Sequence, residues 1–409
     1  MVGCPQKLVL PAFLALLLVA CGSQSTKPDY WMYAGSYTTH GGKGIYLYKF
    51  HAATGKVDAA GLAAGRLWQS NIDAVASSPS RILAQIRAEW PNVKMMAKGV
   101  QDPAFQILHP NGRYLYTANL KDPGTVSAFQ VDPANGKLTM LNTEPSSGGL
   151  PVFLTADNSG KNLLVANYSG SVAVLPINST GHLHPATSVI QRQSGGPGQA
   201  LQPHAHSIVL SPDNRFAIST DTGLDEIFVY KFDANKGSLT PNEPPFLKTP
   251  PGTGPRHFVF HPNGNLAYAI GESGSCVISM RWDAQRGVLA LIRTISTLPP
   301  DFHGESAGAD LLIHSGGRFL YASNRGHDSI AVFTVDPIQG TLTTIEYVSS
   351  YGERPSNLRI DPTGNYLFGA NVFSSTIVQF RIDQQTGRLT PIKSFSIPFP
   401  MAMSFTPTR

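Results

Sequence analysis

The chain of 409 residues is 42% apolar and only 14% charged, and its 39 Gly and 32 Pro suit an architecture with many turns. A net charge of +5 is too mild to argue for nucleic acid, and no such partner is expected. This length usually means two or three domains, but a closed repeat can be larger, so internal repeats have to be sought first.

Residues 1–20 read as a signal peptide: Lys7, then an apolar run from Leu8 to Ala20 that is short for a membrane span. Leu18-Val19-Ala20-Cys21 resembles the bacterial lipoprotein cleavage box, in which Cys21 is lipidated and becomes the first residue. The alternative is an ordinary signal peptide with a chance Cys, which would give a secreted protein. Gly22-Ser23 follow in place of an Asp, which resembles outer-membrane sorting. The expectation is an exported protein, lipid-anchored at the outer membrane and facing the periplasm. It would touch the membrane through that lipid only, with residues 21–29 as a polar tether. Only Cys276 would then remain as a free thiol, so no disulfide can staple the fold, and its core must carry it.

From residue 30 onward one unit recurs. Its alternating strand and Gly-containing turn appear first as IYLYKFHAATGKV (45–57). They return in VSAFQVDPANGKL (126–138), VAVLPINSTGHL (172–183), IFVYKFDANKGSL (227–239), VISMRWDAQRGVL (277–289), IAVFTVDPIQGTL (330–342) and IVQFRIDQQTGRL (377–389). Before six of them stands a hairpin, as in GPRHFVFHPNGNLAYAIGES (254–273), where apolar runs flank Asn263-Gly264. From the second copy on, the strands start 46 to 55 residues apart, and that period with four short strands per unit means a β-propeller. YWMYAGSYT (30–38) lacks a preceding strand and MAMSF (401–405) lacks a following hairpin, so the two ends complete one blade together. The fold class is therefore all-β, a seven-bladed propeller over 30–409 closed by its termini, which removes most open sheet edge. A monomer is expected.

The first two copies are 81 residues apart, which marks an insertion at about 58–98. Within it, Ser78-Pro79 and apolar residues at 82, 83, 86 and 90 predict a short amphipathic helix. If the insertion joins a fourth strand to the next first strand, it lies at the channel mouth as a lid, the favoured reading. If VKMMA (93–97) is the fourth strand, it lies on the far face.

Counting strands outward from the channel, the start of each first strand and the end of each second strand share one mouth. Round the ring this brings together Ser36; Asp102 and Asn119; Asn167; His204, His206 and Asp221; Arg256, His257 and Glu272; Asn324 and Arg325; Arg354 and Asn371. The usual residue at the second-strand end is Asn, whose plain role is to cap the next loop. His109, His261 and His314 fall at the opposite face and read as turn residues.

The departures from Asn carry the information. Glu272 stands beside Arg256, Arg325 follows Asn324, and His204 and His206 share one side of a strand. That His pair could ligate a metal, but no further ligand cluster has suitable spacing, so none is expected. The plain alternative is an Arg256–Glu272 ion pair that staples the blade, yet such pairs rarely add much stability and a closed ring does not need one. Arg suits carboxylate or phosphate, His and Glu can move protons, and cationic donors can take a developing oxyanion. No Gly-x-Ser-x-Gly elbow, haem motif or Gly-rich phosphate loop is present, and no cofactor is expected.

GSYT (35–38), PHAHS (203–207), GPRHFVFHPNG (254–264), FLYASNRGHDSIAVF (319–333) and RPSNLRIDPTGNYL (354–367) resemble the seven-bladed lactonase propellers. That family includes a bacterial 6-phosphogluconolactonase and is similar to fungal 3-carboxy-muconate lactonizing enzymes. The resemblance spans roughly residues 30–406. It implies a site of one His, two Arg and one Glu, which fall on His206, Arg256, Arg325 and Glu272. His204, His257, Asn324 and Arg354 are expected to add substrate contacts. The leading expectation is hydrolysis of a sugar-acid or phosphorylated sugar lactone, with Glu272 or His206 activating water. The alternatives are a non-catalytic envelope propeller binding an anionic ligand or protein, and a muconate-type cycloisomerase. Export itself sits poorly with a cytosolic sugar phosphate.

Overall fold

The computed structural model describes residues 28–65, 102–193 and 201–408, together with Met1. They form seven four-stranded antiparallel sheets. The first strands of successive sheets pack on one another in a ring, and each sheet leans on the next. Blade one takes Tyr30–Ser36, Gly44–His51 and Lys56–Gly65, and its innermost strand is Pro400–Pro407 from the other end of the chain. The two ends pair from Tyr30 opposite Pro407 to Gly35 opposite Ala402, which is the expected closure.

The tight turns have a common construction. In blade five Leu266 accepts from the His261 amide at 2.9 Å through its carbonyl, and Gly264 sits at φ 75°, where a side chain would be strained. The His261 ring holds the turn from both nitrogens: Nδ1 accepts from the Asn263 amide at 3.0 Å, and Nε2 donates to the Gly317 carbonyl of blade six at 2.9 Å. His109 and His314 repeat both bonds. These histidines are thus turn residues that also tie neighbouring blades together.

Second strands such as Leu266–Gly271 are buried throughout, since each blade is covered on both faces. Tyr33, Tyr116, Tyr268 and Tyr321 recur there, each fully buried. Their hydroxyls donate to the carbonyls of Gly136, Gly181, Gly340 and Gly387 in the outer turn of the next blade. Each bond satisfies a carbonyl that would otherwise be stranded between blades. Tyr268→Phe is therefore expected to cost about 1–3 kcal/mol, because it strands the Gly340 carbonyl while keeping the ring. Denaturant unfolding checks this; an unchanged midpoint would mean that the tie is idle.

Two readings of the insertion are corrected. Lys56–Gly65 is the fourth strand of blade one, so residues 93–97 are not, and the extra residues begin after 65 rather than at 58. The described chain leaves blade one at the channel mouth, with Gly65 opposite Gly44, and resumes in blade two there, with Pro103 opposite Asn119. The helix expected over 78–90 lies outside the described residues, as do the signal segment, Cys21 and most of the tether.

Candidate active site at the channel mouth

In every blade the pairing between first and second strand slips once, within two or three residues of the mouth. A bulge of this kind re-aims the side chain it extrudes. Ala104, Val152, His206, Arg256, Ser356 and Met401 lie at these slips, and all line one cavity of about 340 Å³. That volume suits a small molecule. The bulges of blades one to three present apolar or small groups, and those of blades four, five and seven present His206, Arg256 with His257, and Ser356. Phe105, Leu120, Val372 and Phe373 extend the apolar wall.

His206, Arg256, Glu272 and Arg325 all line this cavity. Glu272 bridges two blades: Oε2 lies 2.9 Å from Arg256 Nε and Oε1 lies 3.2 Å from Arg325 Nη2. The first contact is off the N–H axis and acts as an ion pair more than a hydrogen bond. Arg256 Nη1 donates to the Ala309 carbonyl, and Arg325 Nη2 to the Gly308 carbonyl at 3.3 Å. Arg325 Nε is buried without a hydrogen-bond partner. The staple between Arg256 and Glu272 exists, but it is one arm of a charged bridge that faces the cavity.

The electrostatics separate the roles. Burial lowers Arg256 first and the neighbouring Arg325 lowers it further, to about 10, so it stays cationic at neutral pH. Burial raises Glu272, but Arg325 and Arg256 outweigh it and hold the carboxyl below its usual value. Burial takes His206 well below the ordinary histidine value, and Arg256 and His257 push it the same way. His206 is therefore a neutral imidazole at neutral pH, and its Nδ1 is buried without a bond to another residue.

The remaining expected contacts divide. Arg354 lines the cavity with its guanidinium 4.6 Å over the Phe373 ring. His257 lines it too, with Nδ1 donating to Asp310 at 2.7 Å. His204 does not: its Nδ1 donates to the Tyr168 carbonyl at 3.0 Å and its ring stacks on Tyr168 at 4.3 Å. The bulge between Ala205 and Ser207 turns only His206 inward. Asn324 does not line the cavity either, because its amide donates to the Thr297 carbonyl at 2.8 Å and the Ser329 hydroxyl at 3.2 Å. It caps a loop, as Asn119, Asn167 and Asn371 do. Asp221 is spent on a buried pair with Arg192 at 2.7 Å, and Asp102 on Thr38 and Thr39.

Residues not anticipated include Tyr37, Ser306, Asn357 and Asp310. Tyr37 lines the cavity as a neutral phenol, raised by burial and then by Asp102. Ser306 lines it with a buried, unpartnered hydroxyl. A signal for Asp310 existed: AGADLLI carries an acid inside a first strand, four residues before His314, where His257 stands before His261.

Comparison with known proteins agrees with this architecture. Residues 87–405 match the profile of the lactonase family, described as a seven-bladed β-propeller. The 6-phosphogluconolactonase of Bacillus subtilis is 35% identical over 273 residues, which is 66% of this chain and 77% of that protein. A 6-phosphogluconolactonase of Formosa agariphila is 34% identical over 272 residues, 64% of this chain and 76% of the relative. The structure of the periplasmic gluconolactonase of Pseudomonas aeruginosa superposes with a TM-score of 0.79 at 27% identity, covering 93% of this chain and 100% of that one. With its ring of seven blades and its cationic cavity, this chain belongs to the lactonase family of seven-bladed β-propellers and is a lactonase-like hydrolase.

Proposed function

We propose that the cavity opens the ring ester of a sugar-acid lactone, free or phosphorylated, with His206 as general base. The observation that carries this is a neutral, unpartnered imidazole in the same cavity as two guanidinium groups. Water attacks the lactone carbonyl carbon while His206 takes its proton. The negative charge moves to the carbonyl oxygen, where the guanidinium groups of Arg256 and Arg325, both lining the cavity, can receive it. Collapse of the intermediate breaks the ring C–O bond. The leaving ring oxygen takes the proton back from His206, leaving a hydroxyl and a carboxylic acid, which releases its own proton to solvent and becomes the carboxylate. Glu272 is a poor base here, because both of its oxygens face guanidinium groups.

The test is acid release in a pH-stat from glucono-δ-lactone, 6-phosphogluconolactone and a carboxylated lactone. One of these should be turned over, and His206→Gln should lower kcat about 100- to 10,000-fold, in line with loss of a positioned base. Rates equal to buffer for all three would leave anion binding as the role. We also propose that the protein works in the cell envelope through a lipidated Cys21, where free sugar acids would be more accessible than cytosolic sugar phosphates. Labelling with a palmitate analogue, lost in Cys21→Ala, tests that.

A further inference from the structure

The reaction above does not use Asp310, although this acid is nearly fully buried beside the cavity. Its Oδ1 accepts from His257 Nδ1 at 2.7 Å and from the Leu311 amide at 2.8 Å. Oδ2 accepts from Asn357 Nδ2 at 2.9 Å and from the Leu358 amide at 2.7 Å. Four donors hold it as a carboxylate, which can only accept. The His257 proton must then lie on Nδ1, and in a neutral imidazole Nε2 is left as an acceptor. Burial and then Arg256 lower the His257 pKa, so the neutral ring is the form present at neutral pH.

That acceptor faces a guanidinium. Nε2 lies 3.4 Å from Arg256 Nη1, which also donates to the Ala309 carbonyl. Arg256 Nε faces Glu272. The guanidinium is thus held along two edges, and Nη2 has no bond to the protein among the described residues. The Phe153 ring closes on the imidazole edge-on at 5.1 Å and the Phe105 ring at 6.1 Å, which leaves His257 little room to turn.

We propose that Asp310 and His257 are positioning residues: Asp310 fixes the His257 tautomer, and His257 in turn fixes the orientation in which Arg256 offers Nη2 to the substrate. This rests on the lactonase reading of the same cavity. A guanidinium keeps its proton in proteins, so Nε2 against Arg256 serves orientation and not proton transfer.

Three variants test it. His257→Gln keeps a donor for Asp310 and an acceptor for Arg256, and should retain kcat/KM within about tenfold of wild type. His257→Leu removes both and should lower kcat/KM about 100-fold, the scale of a misplaced catalytic group. Asp310→Asn presents a donor to Nδ1, so the His257 proton should move to Nε2, facing Arg256, with a similar loss. Nitrogen-15 NMR of labelled histidine reads that tautomer without any substrate. The proposal is overturned if Gln falls as far as Leu, which would make His257 the proton carrier. It is equally overturned if Asp310→Asn keeps the Nδ1–H tautomer. Should Asp310→Asn not fold, the Gln and Leu pair decides. Should wild type turn over no lactone, the lactonase reading fails, while the tautomer switch still reports on the positioning.

Discussion

Glu272→Gln is expected to lose about 3 kcal/mol of stability and at least 100-fold in kcat/KM. The amide keeps the shape of the carboxylate but leaves Arg256 and Arg325 facing each other, mostly buried and without their shared counter-charge. Removing one partner of such a buried group costs far more than the pair contributes, because an uncompensated charge stays behind. The pH dependence distinguishes this from a packing defect. The Glu272 pKa in the fold is depressed below its ordinary 4.5, so its stabilisation is present above that value and disappears as pH falls through the folded pKa. The gap between wild type and Glu272→Gln should therefore be constant near neutrality and narrow as pH falls below 4.5. A gap that does not narrow in acid would mean that it does not arise from the charge of Glu272. Glu272→Leu, which packs but cannot bond, should be at least as damaging to activity.

The second large effect concerns the pH profile. A base must be deprotonated to act, and His206 stays neutral well below the ordinary histidine value of 6.5 because it is buried beside Arg256 and His257. The acid limb of kcat/KM should therefore lie below 6.5, so that the enzyme keeps its rate in mildly acid medium. Arg256→Gln removes the largest charge acting on His206. Its plateau should fall about 100- to 1,000-fold, the usual cost of losing an oxyanion donor. Its acid limb should also move up towards 6.5, because the imidazolium is no longer repelled. If the plateau falls and the limb stays where it was, the group that titrates is not His206. Arg354→Gln serves as the control, since this cation also lines the cavity but is not among the groups shifting His206.

The two arguments use one feature of the cavity. Two cations, a bridging acid and a neutral imidazole come from blades four, five and six and meet on one wall. The opposite wall is apolar, with Val152 and Met401 extruded from their bulges and Phe105 beside them. A bound lactone would lay its less polar face there and turn its ester towards His206.

Much of this was legible in the sequence, and the reason is that the signals are local. Turn residues, strand alternation and their regular recurrence from residue 45 to 389 specify seven blades, and strands without partners at the two ends specify how the ring closes. Antiparallel pairing alone then places Arg256, Glu272 and Arg325 at one mouth, since the start of one strand and the end of the next must lie together. What required the tertiary structure was direction. A slip of one residue near each first strand's start decides which side chain enters the channel, so His206 enters while His204 stacks on Tyr168 outside it. Asn324, adjacent to Arg325, turns instead to the Thr297 carbonyl of the preceding loop. Partners in neighbouring blades are set by packing between sheets, which no local pattern encodes: Glu272 reaches Arg325, and Asp310 reaches His257.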